Sequence, residues 1–277
     1  MSVHIDTCSC SNNPLGGFSV TWAKKSLGQH FLHSVEYARA VADAIGDETR
    51  HVVEVGPGRG MLTQFLVGRF GQLLLIEKDS VLAAGISERW GTEPGVIVCE
   101  SDFLSFDLAA FWGDRSYSIV GNFPYNISSQ IVFRMLDHRE HVPELVGMFQ
   151  FEMARRIVAA PGSKDYGIIS VMTAVAYEGK LLFRVPPGAF TPKPRVNSAV
   201  IRLQRKASFD LPCEYRSLQI VVRSAFGQRR KMLRNSLKGL LPDKTLQSDA
   251  LFQRRPEELT ITEFVDLALQ YESVRHP

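Results

Sequence analysis

The residues best placed to do chemistry sit where apolar runs give way to polar groups. The run His51 to Val55 breaks into Gly56-Pro57-Gly58-Arg59-Gly60, and the next apolar run, Gln72 to Ile76, stops at Glu77. Glycines let a backbone turn sharply and approach a ligand, and a carboxylate at the end of the second strand can accept hydrogen bonds from both hydroxyls of a ribose. The pattern therefore predicts a nucleoside cofactor. The loop reads GxGxG rather than GxGxxG, and Glu54 just before it adds a carboxylate. A dinucleotide needs helix amides at its pyrophosphate, whereas S-adenosylmethionine has no phosphate but carries an ammonium and a sulfonium. Glu54 favours the methionine-type cofactor. Asp102 ends a third apolar run, Val96 to Cys99, where its carboxylate can accept from an adenine amine. A structural turn at the glycines, a solvated strand-end acid at Glu77 and a helix N-cap at Asp102 are the plainer alternatives at this level.

A fourth run, Ser116 to Val120, leads into Asn122-Phe123-Pro124-Tyr125. The exocyclic nitrogen of adenine is a poor nucleophile because its lone pair is delocalised into the ring. The side-chain oxygen of Asn122 and a backbone carbonyl held by the Phe-Pro turn can accept both amine hydrogens and favour a pyramidal nitrogen. Tyr125 offers a ring on which the base can stack. No strong general base is required, since the nitrogen sheds a proton once alkylation makes it cationic. The plainer alternative is an Asx-capped turn.

The elements that must hold these groups follow from periodicity. Helical spacing covers Val35 to Ile45, with Gly46 as a stop, and helices are predicted at Met61 to Phe70 and Val81 to Trp90. Alternation of these helices with apolar strands predicts a doubly wound parallel sheet covered on both faces. Further on, Ser129 to Leu136 and Phe151 to Ala159 read as helices, Gly179 to Val185 and Ser198 to Leu203 as strands, and Ile168 to Ala176 as an apolar segment of undecided type. Beyond Lys206 strands vanish, and Tyr215 to Leu241, Asp243 to Phe252 and Ile261 to Tyr271 read as helices. The expected organisation is a loose extension at residues 1–20, a catalytic domain at 21–207 and a small helical domain at 208–277.

Composition fits an ordinary soluble globular chain of 277 residues, 45% hydrophobic and 22% charged. The cysteines Cys8, Cys10, Cys99 and Cys213 include no CxxC pair, so no metal site is expected. With neither a signal segment nor roughly 20 consecutive apolar residues, a cytoplasmic location without membrane contact is expected. The net charge of +3 is unevenly spread. Gly179 to Phe209 holds Lys180, Arg184, Lys193, Arg195, Arg202, Arg205 and Lys206 with no acid, and Tyr215 to Pro242 holds Arg216, Arg223, Arg229, Arg230, Lys231, Arg234 and Lys238 with no acid. Two acid-free basic stretches imply a polyanionic partner; a solvated basic face is the alternative. On a single helix over Tyr215 to Leu241, Arg223, Arg230, Arg234 and Lys238 would share one face, with Gly227 as the weak point of that periodicity.

The sequence resembles the KsgA-type ribosomal RNA adenine dimethyltransferases, relatives of the Erm macrolide-resistance methyltransferases. The resemblance covers Lys24 to about Tyr271. It rests on Lys25-Ser-Leu-Gly-Gln-His-Phe-Leu32, Glu54-Val-Gly-Pro-Gly-Arg-Gly60, Ile76-Glu-Lys-Asp79, Gly121-Asn-Phe-Pro-Tyr-Asn-Ile-Ser128, Phe190-Thr-Pro-Lys-Pro-Arg-Val-Asn-Ser198 and Phe226-Gly-Gln-Arg-Arg-Lys-Met-Leu-Arg-Asn235. It implies a Rossmann-like fold and S-adenosylmethionine as cofactor, contacted by His30, Leu32, Gly56, Glu77, Asp102 and Asn122. It implies that Asn122 and Tyr125 hold the target adenine, that Phe190 closes on the base from the other side, and that Lys193, Arg195 and Arg229-Arg230-Lys231 bind phosphates. His30 stands where many relatives have Asn, and Phe123 where many have Leu. The implied activity is transfer of two methyl groups to each of two adjacent adenosines near the 3′ end of small-subunit ribosomal RNA during ribosome assembly, by a monomer. An Erm-like enzyme acting on large-subunit RNA and a non-catalytic RNA-binding assembly or transcription factor are the alternatives.

Overall fold

The computed structural model describes residues 29–46, 48–207, 211–242, 244 and 249–275. The N-terminal extension with Cys8 and Cys10 lies outside the described residues. A central sheet has the order β4-β3-β2-β5-β6-β9-β7, formed by β2 (His51–Val55), β3 (Gln72–Glu77), β4 (Val96–Glu100), β5 (Ser118–Asn122), β6 (Glu144–Gln150), β7 (Tyr177–Val185) and β9 (Ser198–Arg205). The first five in spatial order pair in parallel, and β9 and β7 close that edge antiparallel. A separate two-stranded ladder joins β1 (Phe31–Leu32) to β8 (Phe190–Thr191), with Leu32 opposite Phe190.

Alternating side chains of the parallel strands go to opposite faces, as strand geometry requires. Val52, Leu73, Leu75 and Val120 join a core under α1 (Val35–Asp43) and α2 (Ser80–Trp90). Val53, Leu74, Ile76 and Ile119 join the other core, with α4 (Ser128–Asp137) and α6 (Ile168–Ala176). Both faces are thus buried, which explains the near-continuous apolar character of β2 and β3. The remaining helices before β7 are α3 (Leu108–Trp112) and α5 (Phe151–Ile157). After β9 come α7 (Tyr215–Gly227), α8 (Leu233–Ser236) and α9 (Ile261–Arg275). Leu218, Val221 and Val222 of α7 and Phe264, Leu267 and Ala268 of α9 are buried in the same cluster as α4 and α6.

Several expectations change here. Met61 to Phe70 is not an α-helix: only Thr63–Phe65 forms a short 3-10 turn, flanked by Gly60 and Gly68, both with left-handed φ (76° and 75°). Such a conformation cannot continue an α-helix. The predicted helix from Tyr215 to Leu241 also breaks, since α7 ends at Gly227 and α8 begins at Leu233. The shared face of Arg223, Arg230, Arg234 and Lys238 is therefore lost as a helical argument, though all four remain exposed. Ala250–Gln253 is a 3-10 turn where a longer helix was expected, and Asp243 and residues 245–248 are not among those described. The sequence reading passed over β6 and α3. Ile168 to Ala176 resolves as helix.

Candidate active site

Strand order reverses between β2 and β5, since β3 and β4 lie on one side and β6 on the other. In open α/β sheets the crevice at such a switch point, beyond the carboxyl ends of the strands, is where ligands bind. A cleft opens there, lined by His30, Gly56, Glu77, Asp102, Asn122 and Tyr125 among others. The structure thus gathers these six sequence-predicted residues, which span 96 positions, around one space.

The glycine loop shapes its floor. Gly56, Gly58 and Gly60 all have left-handed φ, at 67°, 59° and 76°, which side-chain-bearing residues rarely adopt. At Gly60 space is also decisive, because a Cβ would stand 2.2 Å from the Trp90 ring. Glu77 reaches back under this loop. Its Oε2 accepts from the Gly58 N–H at 3.0 Å and its Oε1 from the Asp79 N–H at 2.9 Å. Each oxygen keeps a lone pair for a ligand hydroxyl. Burial pushes the Glu77 carboxyl up, against the pull of those two amides.

Glu54 is 1% exposed beneath the loop, its Oε2 accepting from the Thr63 hydroxyl at 2.8 Å. Burial drives its pKa from 4.5 to about 8; the Thr63 hydrogen bond opposes this and the nearby Glu77 charge adds to it. Glu54 lines an adjoining recess with Leu32, Gly56 and Asn122. That recess is where the structure places Leu32. Asp102 lines the same cleft just beyond β4. Lys78 Nζ donates to its Oδ2 at 2.7 Å and Leu104 N–H to its Oδ1 at 2.9 Å, and the lysine bond is the larger reason its pKa is held down. Asp102 stays ionised and able to accept further hydrogen bonds. The sequence reading assigned no part to Lys78 or Thr63; Lys78 lies within the Ile76–Asp79 motif and Thr63 three residues past the glycine loop, and nothing in spacing alone marks them as partners.

At the β5 end, Asn122 Nδ2 donates to the His30 carbonyl at 2.9 Å. A carbonyl can only accept, so the amide nitrogen must face it and Oδ1 is left as an acceptor. The turn that follows is wedged from below by Phe123. Its ring is 1% exposed and fits where Gly121 and Gly147 lack side chains; a Cβ on Gly147 would come within 2.1 Å of it. Tyr125 packs against the His30 ring at 5.2 Å between centroids, and its hydroxyl meets Ser198 Oγ at 2.7 Å. His30 Nδ1 in turn bonds the Pro192 carbonyl at 2.7 Å.

Phe190 pairs with Leu32 across the β1–β8 ladder, is 3% exposed, and belongs to the apolar cluster that also holds Val185, Ala189 and Val200. Lys193 and Arg195 are exposed beside Pro192, close to the rim at His30. Arg223, Arg230, Lys231, Arg234 and Lys238 are exposed on the C-terminal region, whereas Arg229 is half-buried with Nη2 donating to the Lys164 carbonyl at 2.6 Å. Among the described residues no group of three or more His, Cys, Asp and Glu side chains is arranged to hold a metal ion, and no helix is long and apolar enough to cross a membrane.

The cleft thus brings together a strand-end acid bonded to a left-handed glycine loop and an Asn-Phe-Pro-Tyr turn. The family model for ribosomal RNA adenine dimethylase matches residues 20–266. The chain belongs to that family. It is 45% identical over 250 residues to the ribosomal RNA small subunit methyltransferase A of Porphyromonas gingivalis, covering 89% of this chain and 96% of the relative. Identity to the protein of that name from Flavobacterium johnsoniae is 42% over 255 residues, covering 91% and 96%. Among solved structures, a dimethyladenosine transferase from Plasmodium falciparum superposes with TM-score 0.75 at 22% identity, over 88% of this chain and 98% of that one, which shows the shared fold. The 23S rRNA methyltransferase ErmE gives 0.65 at 26% identity, over 87% and 100%. The Rossmann-like methyltransferase fold with a C-terminal helical region is the family's.

Proposed function

We propose that this chain transfers methyl groups from S-adenosylmethionine to the exocyclic amines of two adjacent adenosines near the 3′ end of small-subunit ribosomal RNA. Bound S-adenosylmethionine supplies an electrophilic methyl group on a sulfonium. The donor set fits that molecule: Glu77 offers paired acceptors to ribose hydroxyls, ionised Asp102 accepts from the cofactor's adenine amine, and the Gly56 loop and His30 border the same space, with Leu32 in the adjoining recess. Glu54 is a buried carboxyl whose charge a ligand ammonium would stabilise. No phosphate-binding helix start follows the glycine loop, which ends in a 3-10 turn.

The observation that carries the reading is the orientation of Asn122, whose bond to the His30 carbonyl leaves Oδ1 as the acceptor for a substrate amine hydrogen. With a backbone carbonyl of the Phe123-Pro124 turn taking the second hydrogen, the amine pyramidalises and presents its lone pair. Tyr125 supports the base by stacking. The cationic nitrogen formed on methylation sheds its proton to water. Residues 208–277 contribute Arg223, Arg230, Lys231, Arg234 and Lys238, and the rim contributes Lys193 and Arg195, as phosphate contacts; Arg229 braces the Lys164 loop beside them. The small-subunit assignment rests on identity above 40% to relatives of that name, against 26% to the large-subunit enzyme.

Asn122→Ala tests the reading. Loss of one hydrogen bond, about 0.5 to 1.5 kcal/mol, leaves cofactor affinity within about tenfold, while methyl transfer to small subunits is expected to be abolished. Near-normal turnover would remove Asn122 from the chemistry.

A further inference from the structure

We infer that Ser198 is a positioning residue for methyl transfer, fixing the Tyr125 ring through its hydroxyl; this rests on the reading of Tyr125 as the ring that holds the target base. Ser198 is fully buried at the first position of β9, opposite Gln150 of β6 and Val185 of β7. Its backbone is therefore held between two strands, and its side chain is enclosed. Its Oγ lies 2.7 Å from the Tyr125 hydroxyl, across 73 residues of sequence.

The turn around Tyr125 does not by itself set the ring. The Tyr125 carbonyl is engaged by the Ser128 hydroxyl at 3.1 Å, which fixes the backbone but leaves rotation about two side-chain bonds. The His30 ring limits that rotation from one side at 5.2 Å. Ser198 supplies the directional restraint at the far end of the ring. Burial raises the Tyr125 phenol's pKa, and the Ser198 bond works against that shift, so the hydroxyl is neutral and needs a partner out of water. A base stacked on a ring that pivots is misaligned with the methyl donor, and small misplacements cost rate rather than binding.

A double-mutant cycle tests this, with single-turnover methyl transfer to small ribosomal subunits as the readout and S-adenosylmethionine affinity and thermal midpoint measured in parallel. Ser198→Ala and Tyr125→Phe each remove the same bond and are each expected to slow transfer about 3- to 10-fold. The double variant should be no slower than the worse single one, with cofactor affinity unchanged throughout. Multiplying effects would overturn the inference, as would wild-type transfer by Ser198→Ala. Tyr125→Phe leaves β9 intact, so its wild-type transfer rate would also refute the inference even if the serine variant failed to fold. Tyr125→Ala separates the two levels: slow transfer here with a normal Ser198→Ala refutes only the serine's role, whereas normal transfer by Tyr125→Ala refutes the underlying reading of Tyr125.

Discussion

Replacing Glu54 by glutamine probes the electrostatics beneath the glycine loop. Below pH 4.5 this residue is protonated in both folded and unfolded chains, and burying it involves no charge. Between pH 4.5 and about 8 the unfolded chain ionises while the folded one holds its proton, so the group's contribution to stability declines as pH rises. It is fully present below the unfolded pKa and gone once pH passes about 8. At about 1.4 kcal/mol per unit, the displacement corresponds to about 5 kcal/mol. Glutamine keeps the size and an acceptor for the Thr63 hydroxyl, and does not titrate. Urea unfolding without cofactor should show the stability of Glu54→Gln gaining about 4 kcal/mol on wild type between pH 5 and pH 9. A difference that stays flat with pH would refute the placement of a buried ionisable carboxyl there. The ligand side has its own signature. If a ligand ammonium holds Glu54 ionised, wild-type binding of S-adenosylmethionine near pH 7 releases close to one proton, seen by calorimetry in buffers of different ionisation enthalpy. The glutamine variant should release none.

Glu77→Ala should weaken cofactor binding far more than binding to ribosomal subunits, by about 1.5 to 3 kcal/mol for each charged hydrogen bond to the ribose before solvent competition. Unchanged calorimetric affinity would place Glu77 outside the binding contacts. Arg230→Ala with Arg234→Ala should flatten the slope of log affinity against log salt for ribosomal subunits by about 1.4 to 1.8 and leave cofactor affinity alone; superimposable slopes would mean that these exposed residues are merely solvated.

What the sequence showed and what it hid divide along physical lines. Strand β2, its glycine loop and Glu77 were legible because both sheet faces are buried, which makes the strands continuous apolar runs ended by punctuation. The Asn122 turn was legible for the same reason. Strand β6 was missed because it begins at Glu144, a buried acid paired to Arg202 and to the Gly46 N–H, and carries Gly147 in its middle where Phe123 needs room. Those features weaken a strand pattern, and only the tertiary contacts explain them. The chain at 61–70 has helix-like spacing, but left-handed glycines at 60 and 68 leave it one short turn. The basic segment breaks between the end of α7 at Gly227 and the start of α8 at Leu233, so its charge was readable and its geometry was not. Phe190 was read from motif resemblance, and its burial depends on pairing with Leu32, 158 positions away. The Tyr125–Ser198 and Asn122–His30 bonds are likewise long-range in sequence, and no periodicity encodes them.

The most direct test of the central claim incubates the protein and labelled S-adenosylmethionine with immature small and large ribosomal subunits and maps the labelled nucleotides by mass spectrometry. The account predicts label as N6,N6-dimethyladenosine at two adjacent positions near the 3′ end of small-subunit RNA. Label confined to large-subunit RNA, or carried on a base other than adenine, would contradict it.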